Sequence, residues 1–100
     1  VRSDLPLGVL VAQAVHAAAE SAQGTEPGTH VVVLSVPDEY ALLKIEQKLL
    51  QHDVRHITFR EPDMGGQATA VGLFPVRDRT EARKLLGKLP LLGGEPWRST

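Results

Sequence analysis

His30-Val31-Val32-Val33-Leu34-Ser35-Val36 is a run of β-branched and aliphatic residues with no polar alternation. That is the pattern of a strand covered on both faces. Such a strand belongs at the centre of a sheet with helices on either side, so this stretch predicts an α/β fold. Residues 23–29, with Gly24, Pro27 and Gly28, make the loop that leads into it. Upstream, Ser3-Asp4-Leu5-Pro6 offers a helix start in which Asp4 caps free N–H groups and Pro6 fits the first turn. The helix continues to about residue 22. Leu7, Leu10, Val11, Ala14, Val15 and Ala18 share its apolar face, and its many alanines permit close approach to a sheet. Val1-Arg2 reads as the end of a further strand, which suggests that sequence upstream of Val1 is missing.

Downstream of the central run, Pro37-Asp38-Glu39 opens a second helix that reaches about residue 51. Leu42, Leu43, Ile45, Leu49 and Leu50 recur there at helical spacing, with acids in the first turn. His52-Asp53 closes it. Residues 54–60 alternate Val54, His56 and Thr58 against Arg55, Ile57 and Phe59, as a short strand does. Gly65-Gly66 breaks the chain, residues 68–74 form another strand, and residues 78–87 a last helix. Asp78 and Glu81 are spaced like a capping box, and Gly87 suits the stop. Residues 89–100 read as a tail.

The connections predict the topology. The first two helices are long crossovers that permit parallel pairing, whereas the six residues 61–66 are too few for one. The final strand therefore runs antiparallel. Open α/β sheets collect their ligands at the carboxyl ends of the parallel strands. Asp4, Asp38, Glu61 and Asp63 all follow strand ends, and Gln67 and Thr69 begin the strand that runs back from the same edge. A polar crevice follows from this connectivity.

Composition narrows the chemistry. A chain of 100 residues, 42% hydrophobic, can bury one core. It has no cysteine, which excludes disulfides, thiolate metal sites and a thiol nucleophile. No apolar run approaches the roughly 20 residues that span a bilayer, and no signal peptide is visible, so a cytoplasmic location is expected. The formal charge of −1 gives no global attraction for nucleic acid. Any such contact is local, and Arg77, Arg79, Arg83, Lys84 and Lys88, facing only Asp78 and Glu81 in the same stretch, supply one candidate surface. A solvated helix face is the plain alternative.

Two constellations carry potential chemistry. Gln13 and His16 share one stripe of an otherwise apolar helix, where they either satisfy neighbouring backbone or orient a substrate beside Asp4. Glu61-Pro62-Asp63-Met64-Gly65-Gly66 sets two carboxylates in a glycine-rich turn. Such a turn suits orienting a water while its N–H groups receive developing negative charge, although the same residues also serve ordinary turn geometry. His52 and His56 are divided between a helix end and a strand, so no metal site is expected. Gly65-Gly66 lacks the surroundings of a Walker loop or a dinucleotide fingerprint. No cofactor is expected either.

Val1-Arg2-Ser3-Asp4-Leu5-Pro6-Leu7-Gly8, followed by Ala12-Gln13-Ala14-Val15-His16-Ala17-Ala18, resembles the N-terminal signature of type 2 peptidyl-tRNA hydrolases. Val36-Pro37-Asp38-Glu39 and Thr69-Ala70-Val71-Gly72-Leu73-Phe74-Pro75 look like further segments of that family. The resemblance runs from residue 1 to about residue 92, leaving 93–100 as a tail, and is closer to the divergent, hydrolase-domain-containing branch. It implies a three-layer α/β fold with a mixed four-stranded sheet, helices on both faces, and a first strand largely upstream of Val1. It also implies an often dimeric protein that hydrolyses the ester joining a peptide to the terminal ribose of tRNA.

Carried across residue by residue, the family's polar site corresponds to Asp4, Gln13, His16 and Thr69. The family's lysine on the first helical turn is Val9 here, and its Asp-Ala-Gly-x-Thr turn reads Glu61 to Gly66. Glu61 or Asp63 stands in for the family aspartate, with Glu61 favoured because it directly ends the strand. The expected catalytic set is thus Glu61, Asp63, Thr69 and Asp4. Gln13, His16, Gly65 and Gly66 would contact the substrate, and Arg79, Arg83 and Lys84 its tRNA phosphates. The alternative expectation is a module that keeps the fold, has lost hydrolysis, and binds RNA ends or a protein.

Overall fold

The computed structural model describes residues 1–22, 27, 29–76 and 78–99; most of the expected 23–29 loop, and Arg77, lie outside the described residues. Helix α1 spans Leu7–Ser21, α2 Glu39–Gln51 and α3 Thr80–Leu86, while strands β1 and β2 span His56–Glu61 and Gln67–Leu73. Short 3-10 turns occur at Pro62–Met64 and Trp97–Ser99. Among the described residues no helix is long and apolar enough to cross a membrane.

Helix α2 starts as its sequence predicts, with the Asp38 carboxylate accepting the Ala41 N–H at 2.9 Å. It stops where Asp53 turns to φ 55°. Helix α1 differs from expectation at its start, which is Leu7, because the Asp4 carboxylate is engaged by Arg2 and caps nothing. Its buried stripe is also rotated from the most apolar one. Leu10, Gln13, Ala17 and Ser21 are buried, whereas Leu7, Val11 and Val15 are exposed. The cause is closeness of approach: a Cβ placed on Gly72 of β2 would sit 2.4 Å from the Ala17 carbonyl oxygen. Only small residues fit where the helix meets the strand.

Strands β1 and β2 pair antiparallel, from His56 opposite Leu73 to Glu61 opposite Gln67, as the short connection requires. The register slips between Phe59, opposite Ala70, and Arg60, opposite Ala68, so Thr69 is the additional residue of a bulge. The connecting turn is closed by Gly65 and Gly66, with φ of 68° and 78°.

Among the described residues the regular sheet has two strands, and the expected four-stranded, three-layer arrangement is not seen. Residues 1–3 and 34–36 meet through a single parallel bridge, Arg2 to Val36. Val1 N donates to Leu34 O at 2.9 Å, Val36 N to Val1 O at 3.0 Å, and Ser3 N to Val36 O at 2.8 Å. On the other side Arg2 N donates to Thr69 O at 3.3 Å. Three residues are too few to build a ladder. Beyond them Val31 is 74% exposed, so the run from His30 is not a central strand, and Leu34 pairs instead with Leu91 in an antiparallel bridge.

One apolar cluster joins Leu49, Ala82, Leu86 and Trp97, with Leu34, Val71 and Leu73 packed against it. A second joins Val36, Leu42 and Ala68. Residues 89–99 fold back onto α3: Trp97 N donates to Leu89 O and Arg98 N to Gly87 O, each at 2.9 Å. The Trp97 ring is buried between α2 and α3.

Candidate functional site

The bulge at Thr69 shapes the crevice. Without it, strict alternation would set Thr69 and Val71 on one face of β2. Here Thr69 faces α1 while Ala68 and Val71 join the clusters around α2. The Thr69 side chain is fully buried, and its hydroxyl donates to Gln13 Oε1 at 3.0 Å. Gln13, itself buried, uses its amide Nε2 to donate to Glu61 Oε2 at 2.9 Å. The other Glu61 oxygen accepts the Asp63 N–H at 3.2 Å. The carboxylate is thus held by α1 on one oxygen and by its own turn on the other, with β2 behind the α1 amide. Glu61 remains partly open, and each of its oxygens keeps a lone pair for a further donor.

A second polar cluster lies along the start of β2. Arg2 is buried, and its guanidinium grips Asp4 through Nε to Oδ1 at 2.9 Å and Nη2 to Oδ2 at 2.8 Å. Its remaining nitrogen, Nη1, donates to Gln67 Oε1 at 2.8 Å and Ala68 O at 3.1 Å. Hydrogen bonding from Arg2 holds the Asp4 carboxyl below its ordinary value of 3.8, and Asp4 in turn raises the guanidinium. The Glu39 carboxylate, on the first turn of α2, accepts the Ala68 N–H at 2.7 Å. Side chains from α1, α2 and both strands therefore fix the carboxyl edge of the sheet.

The family model for peptidyl-tRNA hydrolase PTH2 matches residues 1–92. The chain belongs to the PTH2 family. At the family level this gives it a peptidyl-tRNA hydrolase-type function and a tRNA-linked substrate. No curated protein and no solved structure matches it.

In this PTH2 member Asp4, Gln13, Glu61 and Thr69 gather at the expected edge, in two clusters that share β2. Asp63 is exposed and enters through its backbone N–H alone. His16 lies one turn beyond Gln13, exposed, with its ring 6.1 Å from that of Phe59 and tilted by 31°. Gly65 and Gly66 direct their N–H groups back into the turn, to Pro62 O at 3.2 Å and Glu61 O at 3.0 Å, so these donors are already engaged. Thr69 touches no solvent, and its hydroxyl acts on Gln13.

The basic residues lie elsewhere. Arg79, Arg83 and Lys84 are on or beside α3, which packs against α2 and the C-terminal turn. His52 and His56 each turn Nδ1 to local backbone, at Lys48 O and Val54 O. Among the described residues no group of three or more His, Cys, Asp or Glu is arranged to hold a metal ion.

Sequence reasoning placed Gln67 at this edge but missed Arg2 and Glu39. Arg2 and Asp4 carried a usable signal, since residues two apart on an extended segment point to the same side. Glu39 carried none, because an acid in the first turn of a helix is already explained by the helix dipole.

Proposed function

We propose that this protein hydrolyses the ester between a peptide and the terminal ribose of tRNA. The observation that supports it is the carboxylate of Glu61, held by the Gln13 amide with Thr69 behind it, in a chain of the PTH2 family. In this reading Glu61 accepts a proton from a water as the water oxygen attacks the ester carbonyl carbon. The tetrahedral intermediate then collapses. The ribose oxygen leaves with the proton returned from Glu61, giving a free tRNA hydroxyl and a peptide carboxylic acid.

Gln13 and Thr69 are positioning residues: the buried hydroxyl sets the orientation of the amide, and the amide sets the rotamer of the carboxylate. Asp63 is the weaker base candidate, since no side chain orients its carboxylate. His16, exposed beside the half-buried Phe59, offers a ring against which the terminal nucleoside can stack. Asp4, fixed by Arg2, is available to accept from a ribose hydroxyl. No covalent enzyme intermediate is needed.

A binding module without turnover is the second reading. It is favoured by Val9, a part-buried aliphatic residue where the family resemblance expects lysine, and by turn N–H groups already committed to the turn. The two readings part on peptide release from N-blocked aminoacyl-tRNA by substoichiometric protein. Repeated turnover supports the hydrolase. Salt-dependent tRNA binding with no release by folded protein supports the module.

A further inference from the structure

Thr80, Arg83, Lys84, Lys88 and Arg98 line a shallow depression between α3 and the C-terminal turn. Four of these five side chains are cationic, and none is a carboxylate. In a chain of net charge −1 such a cluster is not a consequence of composition, and like charges around one depression oppose one another. Of the two acids beside the cluster in sequence, Glu81 in the first turn of α3 does not line the depression, and Asp78 is occupied, its Oδ1 accepting from both the backbone N–H and the hydroxyl of Thr80.

The cluster is built, not merely exposed. Arg98 is carried by the turn Trp97–Ser99, which is tied to α3 by the Arg98 N–H on Gly87 O and anchored by the buried Trp97 ring. The Arg83 guanidinium lies 5.5 Å from the centre of that ring, and its Nη2 makes a long contact of 3.4 Å to Trp97 O. Its Nε is buried with no hydrogen-bond partner. A packed guanidinium with an unmet donor, beside three exposed cationic side chains, suits a tetrahedral oxyanion that accepts from several directions.

We propose that Arg83, Lys84, Lys88 and Arg98 form a subsite for a backbone phosphate of the tRNA substrate. This rests on the reading that the protein acts on tRNA. It joins the basic residues of α3, and Lys88 just after it, to Arg98 from residues beyond the 1–92 family match. Arg79 is not part of it, since it borders the apolar side of α3 near Ala82 and Leu86. Phosphate contacts of this kind set the position of a nucleic acid without reading its sequence.

The test is binding of deacylated tRNA at several salt concentrations. Arg98→Ala, a change at an exposed side chain, is expected to weaken binding several-fold and to reduce the slope of log affinity against log salt by about 1. Lys88→Ala is expected to do the same without touching the C-terminal turn, while Arg98→Lys keeps the slope. Lys44→Ala, which removes an exposed charge on α2, leaves affinity and slope as in wild type. Equal tRNA affinity and slope in Arg98→Ala, Lys88→Ala and wild type would overturn the proposal, as would an effect on inorganic phosphate binding alone. Weakened tRNA binding in a protein that releases no peptide would sink the hydrolase reading and leave this subsite. Repeated turnover with unchanged tRNA binding in the variants would do the reverse.

Discussion

The Gln13 amide and the Glu61 carboxylate meet at 2.9 Å across 48 residues of sequence. This bond joins α1 to the end of β1, and it depends on what lies behind it. The amide can flip unless its oxygen has a fixed donor, and the Thr69 hydroxyl is that donor.

Thr69→Val tests that dependence. The substitution keeps the shape of a fully buried side chain and removes the proton offered to Gln13 Oε1. It leaves a buried acceptor unmet, a loss of about 1–3 kcal/mol in unfolding free energy by urea titration. Turnover is expected to fall further than this stability loss explains, while tRNA affinity stays near wild type. A variant with wild-type turnover would show that the hydroxyl orients nothing of consequence.

Gly72→Ala presses on the same relation from the helix side. The added methyl would lie 2.4 Å from the Ala17 carbonyl oxygen and 2.8 Å from Ser21 Oγ, and the first of these is backbone that cannot rotate away. Overpacking of this kind costs about 1–3 kcal/mol. It displaces α1 and with it Gln13, so stability and turnover fall together.

Asp4 gives a pH signature. Its carboxyl titrates below 3.8 because Arg2 donates to it. As pH falls, the unfolded state therefore takes up the proton before the folded state does. The stabilisation is complete above the unfolded value and is lost as pH drops through the lower folded one. In urea titrations Asp4→Asn is expected to be less stable than wild type by a constant margin near neutrality. That margin should close as pH falls below about 4. A margin that persists unchanged in acid would contradict the pairing.

Trp97→Ala removes a buried ring from the cluster of Leu49, Ala82 and Leu86. The expected loss is about 3–5 kcal/mol in chemical denaturation. A small change, with α3 unaffected, would mean that the C-terminal turn is dispensable to the core.

Much of this arrangement was legible beforehand because short-range rules decide it. Residues 61–66 were too few for a crossover, so β1 and β2 had to pair antiparallel, and Asp38 before Glu39 was an unambiguous helix start. The placing of Asp4, Glu61 and Thr69 at one edge followed from strand direction, and Gln13 from its stripe on the first helix together with the family resemblance. The apolar run from His30 misled because hydrophobicity reports suitability for burial, while burial itself needs a neighbour: residues 1–3 reach only as far as Leu34. The bulge at Thr69 left no mark in its sequence, since bulges here arise from pairing register. Trp97 was read as part of a tail because its partners, Leu49 and Leu86, are far away along the chain.

The most direct measurement is peptide release from N-blocked aminoacyl-tRNA by wild type, Glu61→Gln and Asp63→Asn at matched substoichiometric concentration. The account predicts repeated turnover by wild type, a fall of about 10²- to 10⁴-fold in Glu61→Gln with tRNA binding retained, and a change of only a few-fold in Asp63→Asn. Turnover undiminished in Glu61→Gln would contradict it, as would folded wild-type protein that binds tRNA and releases no peptide.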